Sequence, residues 1–113
     1  GAYEYSESYK ISQSALKEFR SKNYLKSVKL YESAILLNNL DYIFYENAGI
    51  AYALLKNYED AYHKYVFGVG VSPKHPTKEG FKEFVMQKKK EKQVVRNYLR
   101  KFQIPSAHGG ANS

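Results

Sequence analysis

An internal repeat of 34 residues is the feature of this sequence that most limits its fold. Tyr24 and Tyr58 are separated by this offset, as are Tyr31 and Tyr65. The same offset relates further small or apolar residues, namely Ala15 and Gly49, Ser27 and Ala61, Ala34 and Gly68, and Leu37 and Val71. Repeats of this length are typical of stacked helical pairs, because each unit buries its apolar face against the next. The sequence therefore predicts an all-α chain built from helical hairpins.

Apolar spacing within the repeat predicts where the helices lie. Ile11, Ala15 and Phe19 recur every four residues, which indicates a first helix from about residue 8 to about residue 22. Further helices are predicted at about 24–37, 42–55, 58–71 and 77–102. Asn38, Asn39 and Pro73 separate these segments, since asparagine favours turns and proline ends a helix.

These breaks divide the chain into a simple series of units. One domain is all that 113 residues support. The expected order is a flexible N-terminal segment at 1–7, two repeats at 8–41 and 42–75, a long basic helix at 76–104 that caps the array, and a flexible tail at 105–113.

One segment of the chain, 42–73, resembles a tetratricopeptide repeat. That family's pattern has an aromatic, a small residue and a tyrosine on the first helix, an alanine, an aromatic and a small residue on the second, and a proline after it. The segment supplies Tyr45, Gly49, Tyr52, Ala61, Tyr65, Gly68 and Pro73 at these places. The first repeat is less close, because Ser27 stands where the family has alanine and Asn39 where it has proline. The resemblance covers about 8–102 and implies two repeats followed by a capping helix.

The resemblance also implies a binding groove along the first helix of each repeat. Such grooves hold an extended peptide or a helix of a partner protein. The corresponding residues here are Tyr9, Ser12, Leu16, Phe19, Arg20, Ile43, Glu46, Asn47, Ile50 and Leu54. Their partly apolar character indicates a partly apolar partner. An alternative interpretation is that Leu16 and Phe19 only pack against the neighbouring repeat.

Some tetratricopeptide co-chaperones bind the carboxylate-rich end of a chaperone through a clamp of lysine and asparagine side chains. Asn47 matches this clamp, and Lys78 and Lys82 supply its pair of cations one turn apart. Ser12 and Leu16 do not match, so half of the clamp is absent. A partner with a carboxylate-rich end is therefore an open alternative.

The positive charge of the chain lies in one segment. Residues 1–73 contain eight Lys or Arg and eight Asp or Glu, whereas residues 74–101 contain ten and three, which accounts for the whole net charge of +7. Its densest part comprises Lys88, Lys89, Lys90, Lys92, Arg96, Arg100 and Lys101. A lysine-rich helix is often only a solvated face. It can also bind an acidic protein segment, anionic lipid or nucleic acid, although the absence of a stacking motif argues against sequence-specific nucleic-acid recognition.

Nothing in the sequence indicates an enzyme, a metal site or a cofactor. His63, His75 and His108 are scattered, and the adjacent acids Glu59 and Asp60 point in different directions on a helix. No apolar run is long enough to cross a membrane, and the absence of cysteine fits a reducing compartment. We therefore expect a cytoplasmic protein, with the nucleus as an alternative.

Taken together, these patterns predict a non-catalytic protein-interaction module of the adaptor, scaffold or co-chaperone kind. A second hypothesis is an electrostatic tether that uses the basic helix. A third is self-association, since two repeats leave an apolar end that a second copy or the rest of a longer chain would cover.

Overall fold

The described part of the chain, residues 1–101, folds into five α-helices, which confirms the predicted all-α class. The computed structural model describes residues 1–101 except for the side chain of Tyr98, so the predicted helix end at 102–104 and the tail at 105–113 lie outside the described residues. The helices are α1 (Ala2–Arg20), α2 (Tyr24–Leu37), α3 (Tyr42–Leu54), α4 (Tyr58–Val71) and α5 (Lys78–Lys101).

Packing follows chain order, and α3 occupies the centre. Helices α1 and α2 form one hairpin and α3 and α4 form the next, with α2 also packed against α3. Helix α5 packs against both α3 and α4, and α1 makes a small contact with α3. Every other helix in the described part of the chain therefore touches α3.

The 34-residue offset is also present in the backbone. Lys22 and Lys56, one repeat apart, both have a φ of 64°. The residues before them, Ser21 and Leu55, share φ −84° and ψ 3°. A left-handed residue after a helix turns the chain sharply, and it is uncommon at a residue other than glycine. The two hairpins thus turn in the same way, so the sequence offset is a structural repeat.

The first helix begins at Ala2, so the prediction of a flexible segment at 1–7 is wrong. Ser8 was expected to start the helix, but it lies inside it, is only 1% exposed, and its hydroxyl donates to the carbonyl of Tyr5 at 2.7 Å. Serine can bond a carbonyl in the preceding turn as well as cap a helix. Residues 2–7 contain neither glycine nor proline, and Glu4 in the first turn suits the helix dipole.

Small residues allow the helices of each pair to approach closely. Ala15 and Ser27 are fully buried, and the Ser27 hydroxyl donates to the Ala15 carbonyl at 2.9 Å. This bond satisfies the polar atom that replaces the expected alanine. On α3, a Cβ atom at Gly49 would overlap the ring of Phe81 from α5. Glycine at this position therefore seats α5 on α3.

A polar network joins the two hairpins. The Tyr52 hydroxyl of α3 donates to the carboxylate of Glu32 on α2 at 2.8 Å, and Lys64 of α4 lies 3.0 Å from the same carboxylate. The Lys64 ammonium also lies 5.6 Å from the centre of the Tyr52 ring. Burial and then the bond to Glu32 raise the pKa of Tyr52. Three helices are thus held by one neutral phenol and one ion pair.

We expect Gly49→Ala to destabilise the protein by about 1–3 kcal/mol, because the added methyl group displaces the Phe81 ring. Gly70→Ala is the matched control, since Gly70 is an exposed residue of α4 with open space around its Cα. Removing this helical glycine should stabilise the protein by about 0.5–1 kcal/mol. Urea unfolding measures both. Equal changes in the free energy of unfolding for the two variants would show that the packing of α5 does not depend on the contact between Gly49 and Phe81.

The Tyr52 phenol should make stability fall in alkaline solution. Its pKa is raised by folding, so its contribution is complete below the ordinary pKa of about 10 and is lost as pH rises through the folded value. Tyr52→Phe should be less stable than the unmodified protein at about pH 8, and this difference should shrink toward about pH 11. Thermal unfolding at several pH values measures the trend. Tyr3→Phe, at an exposed tyrosine, should leave the pH dependence unchanged.

Candidate functional site

One line of side chains on α3 is only partly covered by the other helices. Ile43, Asn47, Ile50 and Leu54 follow spacings of four, three and four residues, so they form one stripe along the helix, here called the α3 stripe. Ile43 is 42% exposed, and the other three are partly exposed. Most other residues of α3 are buried against its neighbours. The least covered face of the central helix is therefore the α3 stripe, with Glu46 at its edge.

A buried tyrosine fixes the polar member of the stripe. The amide nitrogen of Asn47 donates to the hydroxyl of Tyr31 at 3.0 Å. Tyr31 belongs to α2 and is only 1% exposed. Burial raises the pKa of this phenol, while the bond from Asn47 and the charge of Arg20 oppose the increase. Tyr31 therefore remains a neutral phenol that accepts the bond from Asn47.

A second polar cluster borders the stripe on the α5 side. The Glu46 carboxylate accepts hydrogen bonds from the Tyr42 hydroxyl at 2.9 Å and from the Thr77 hydroxyl at 2.6 Å. The ring of His75 stacks on Tyr42 with centres 3.8 Å apart. Burial, with a smaller contribution from Glu46, raises the pKa of Tyr42 to about 12. The chain before α5 is thus tied to α3 beside Ile50, which packs in the same cluster as Phe81.

The structure separates the groove residues predicted on α1. Tyr9 and Arg20 are exposed, and Leu16 is partly exposed. Ser12 is buried, with its hydroxyl donating to the Tyr9 carbonyl at 2.7 Å, so it is not available to a partner. The predicted role of Ser12 is therefore wrong, because this side of α1 faces its neighbours.

Phe19 is also directed into the first hairpin. Its ring lies edge-on to that of Tyr24 on α2, with centres 5.5 Å apart. Such an edge-to-face pair is a typical packing contact between helices. This contact favours the interpretation of Phe19 as a packing residue.

The two lysines of the predicted clamp differ in their surroundings. Lys78 at the start of α5 is partly buried and donates to the carbonyl of Pro73. Lys82, one turn later, is exposed. Only one of the two ammonium groups is thus presented to solvent without a bond to the backbone.

The basic residues of α5 do not form one surface. Lys88 is partly buried, lies 5.5 Å from the centre of the Phe84 ring and pairs with Glu91 at 3.7 Å. Lys89, Lys92 and Arg96 face a cleft beside α4, whereas Lys90 lies on another side of the helix beside Gly80, Glu83 and Met86. Arg100 and Lys101 are exposed near the end of the described chain. These basic residues are close together in the sequence, but they lie on different sides of α5.

Sequence reasoning missed Tyr31, Tyr42 and Thr77 as supports of the site. The sequence shows Tyr31 only as a member of the 34-residue repeat, with no signal that its hydroxyl bonds to a residue 16 positions away. Thr77 lies at the predicted start of the last helix, and no local pattern indicates its bond to Glu46. Both roles depend on how the hairpins stack, which no local pattern encodes.

The described residues contain neither a metal-binding group nor a membrane-spanning helix. Among residues 1–101, no group of three or more His, Asp or Glu side chains is arranged to hold a metal ion. No helix in this part of the chain is long and apolar enough to cross a bilayer. Comparison with protein-family models and with curated proteins finds no match.

Proposed function

We propose that this chain is a non-catalytic interaction module that binds a peptide or helix of a partner protein along the α3 stripe. The observation that carries the proposal is the exposure of Ile43 and its neighbours on a helix that is otherwise buried. A line of apolar groups on a rigid helix fits the side chains of one extended or helical segment. The tetratricopeptide-like motif adds support, because that family uses the same face for binding.

Asn47 would set the orientation of the bound partner segment. The bond to Tyr31 uses one N–H of the amide, and an asparagine side chain has a second N–H and a carbonyl oxygen. These two groups match the C=O and N–H of a partner's backbone. Because Tyr31 holds the side chain in place, little conformational entropy is lost on binding.

Residues on α1 extend the surface beyond the stripe. In this proposal Tyr9 and Leu16 add apolar area, and the exposed Arg20 at the end of α1 adds a cation. A partner segment with two or three apolar side chains and an acidic group at one end fits this arrangement. An adaptor or co-chaperone in the cytoplasm would use such a surface.

A partner ending in several carboxylates has less support. Lys78 already donates to Pro73, and buried Ser12 and apolar Leu16 occupy the remaining positions of the clamp. Two carboxylates that leave water need donors that this surface lacks.

We expect Ile43→Glu to weaken binding to the α3 stripe without disturbing the fold, because Ile43 is already exposed. The probes are peptides selected from a random display library against the unmodified chain, with affinities measured by fluorescence anisotropy. The dissociation constant should rise by about tenfold or more, since a charge would then face apolar partner groups.

Leu40→Glu is the matched control, because it makes the same change at a more exposed leucine just before α3. It should alter affinity by no more than about twofold. Asn47→Ala should weaken binding by about fivefold to tenfold, as loss of one hydrogen bond to the partner would do. Selected peptides that bind Ile43→Glu and Leu40→Glu equally well would place the binding surface elsewhere.

A further inference from the structure

Helix α5 continues past the position at which the repeat would end it. The previous equivalent helix, α3, ends at Leu54, and one repeat later is residue 88. The chain turns after Leu54 through the left-handed Lys56, whereas α5 continues without interruption to Lys101. Residues 89–101 are therefore an addition to the repeat, here called the α5 extension.

The α5 extension forms one wall of a cleft, and the start of α4 forms the other. The cleft has a volume of about 620 Å³. Lys89, Lys92 and Arg96 line it from α5, and their spacings of three and four residues put them on one face. Lys56, Tyr58 and Tyr62 line it from the other side.

The cleft is strongly positive for its size. Four cationic side chains line it, against the single carboxylate of Glu59. It also lies at the N-terminus of α4, where the helix dipole adds partial positive charge. Like charges on two facing walls raise the local potential, and an acidic ligand between them would relieve their repulsion.

The equivalent place in the first hairpin carries cations on one wall only, namely Lys22, Lys26 and Lys29. The end of α3 forms its other side with Leu55, which occupies the position of Lys89. Because α3 ends there, no second wall of cations follows. Cations on two facing walls are thus a product of the α5 extension and not of the repeat.

We propose that this cleft binds an acidic segment of a partner protein, with carboxylates spaced along an extended chain. The exposed Tyr62 ring suits the methylene groups of glutamate, and the cations suit its carboxylates. A nucleic acid is a poorer fit, because the Lys92 ammonium already lies 5.4 Å from the centre of the Tyr58 ring, where a base would have to stack. The carboxylate of Glu59 would also repel a phosphate backbone.

A second copy of this chain cannot supply such a segment. Its acidic residues lie in the helices, apart from Asp41 at the N-cap of α3, so none belongs to an extended segment. Glu59 and Asp60 are the only two that are adjacent in the sequence. Neither residue is available to enter the cleft of another copy. Glu59 lines the cleft itself, and the carboxylate of Asp60 accepts a hydrogen bond from the N-capping Asn57 at 2.6 Å. The acidic segment therefore lies outside these 113 residues.

The test uses the full chain and three labelled probes: a peptide of alternating glutamate and alanine, the same peptide with glutamine for glutamate, and a uridine oligonucleotide. Fluorescence anisotropy gives the affinities. We expect the glutamate peptide to bind more tightly than both other probes, and its affinity to fall as salt rises, since exposed charges are screened. Absence of binding by the glutamate peptide overturns the proposal.

Paired variants locate the binding. Lys92→Gln/Arg96→Gln removes two charges inside the cleft, and Lys90→Gln/Arg100→Gln removes two from the same helix outside it. The first should weaken binding of the glutamate peptide by about tenfold, the loss expected from two surface ion pairs, and the second by no more than about twofold. Equal losses would mean that net charge alone attracts the peptide, which overturns the proposal.

A second pair of variants tests the other wall of the cleft, and these substitutions leave the sequence of α5 unchanged. Lys56→Asn and Lys22→Asn make the same change at two residues with the same left-handed backbone, which asparagine tolerates. Only Lys56→Asn should weaken binding, and circular dichroism should show unchanged helicity in both. Tighter binding of the oligonucleotide, lost in the variants of the cleft, would assign the site to nucleic acid and reject the acidic peptide.

Discussion

Close approach between helices is the constraint on which the rest of the structure depends. Ala15 and Ser27 let α1 and α2 meet without a gap, and the serine hydroxyl bonds the alanine carbonyl across the contact. In the second hairpin, a Cβ at Gly68 would lie 3.2 Å from the Cβ of Tyr45. Larger residues at such positions would separate the helices and expose the rings that fill the space beside them. The two helices of each hairpin can therefore pack against each other in few other ways.

This stacking explains why the candidate binding surface is narrow. Helix α3 touches every other helix in the described chain, so nearly all of its faces are buried. The polar groups that border it are already paired, with Glu46 held by Tyr42 and Thr77. What remains is a line of apolar side chains around one asparagine. A surface of this kind favours a single segment of a partner over a broad protein interface.

The fold was largely predictable from the 34-residue offset, and the reasons for the exceptions are physical. The resemblance to the tetratricopeptide pattern implied that Ile43 and Asn47 share a groove face, and in the structure both lie on the α3 stripe. Periodicity could not place Ser8, because a serine before an apolar stripe can either cap a helix or bond inside it. Nor could it find the contact between Glu46 and Thr77, which are 31 residues apart and meet only through the tertiary fold.

Equivalent residues of α2 and α4 differ in how far they are covered. Val28 on α2 is 3% exposed, whereas its equivalent on α4, Tyr62, is 45% exposed. A third hairpin would cover Tyr62 with apolar groups. The chain instead continues α5, so that Lys92 and Arg96 line a cleft together with Tyr62. Further repeats would have to bury these cations, which is costly without paired carboxylates. The extension thus replaces an apolar stacking surface with a charged one, and an acidic segment suits it better than another repeat.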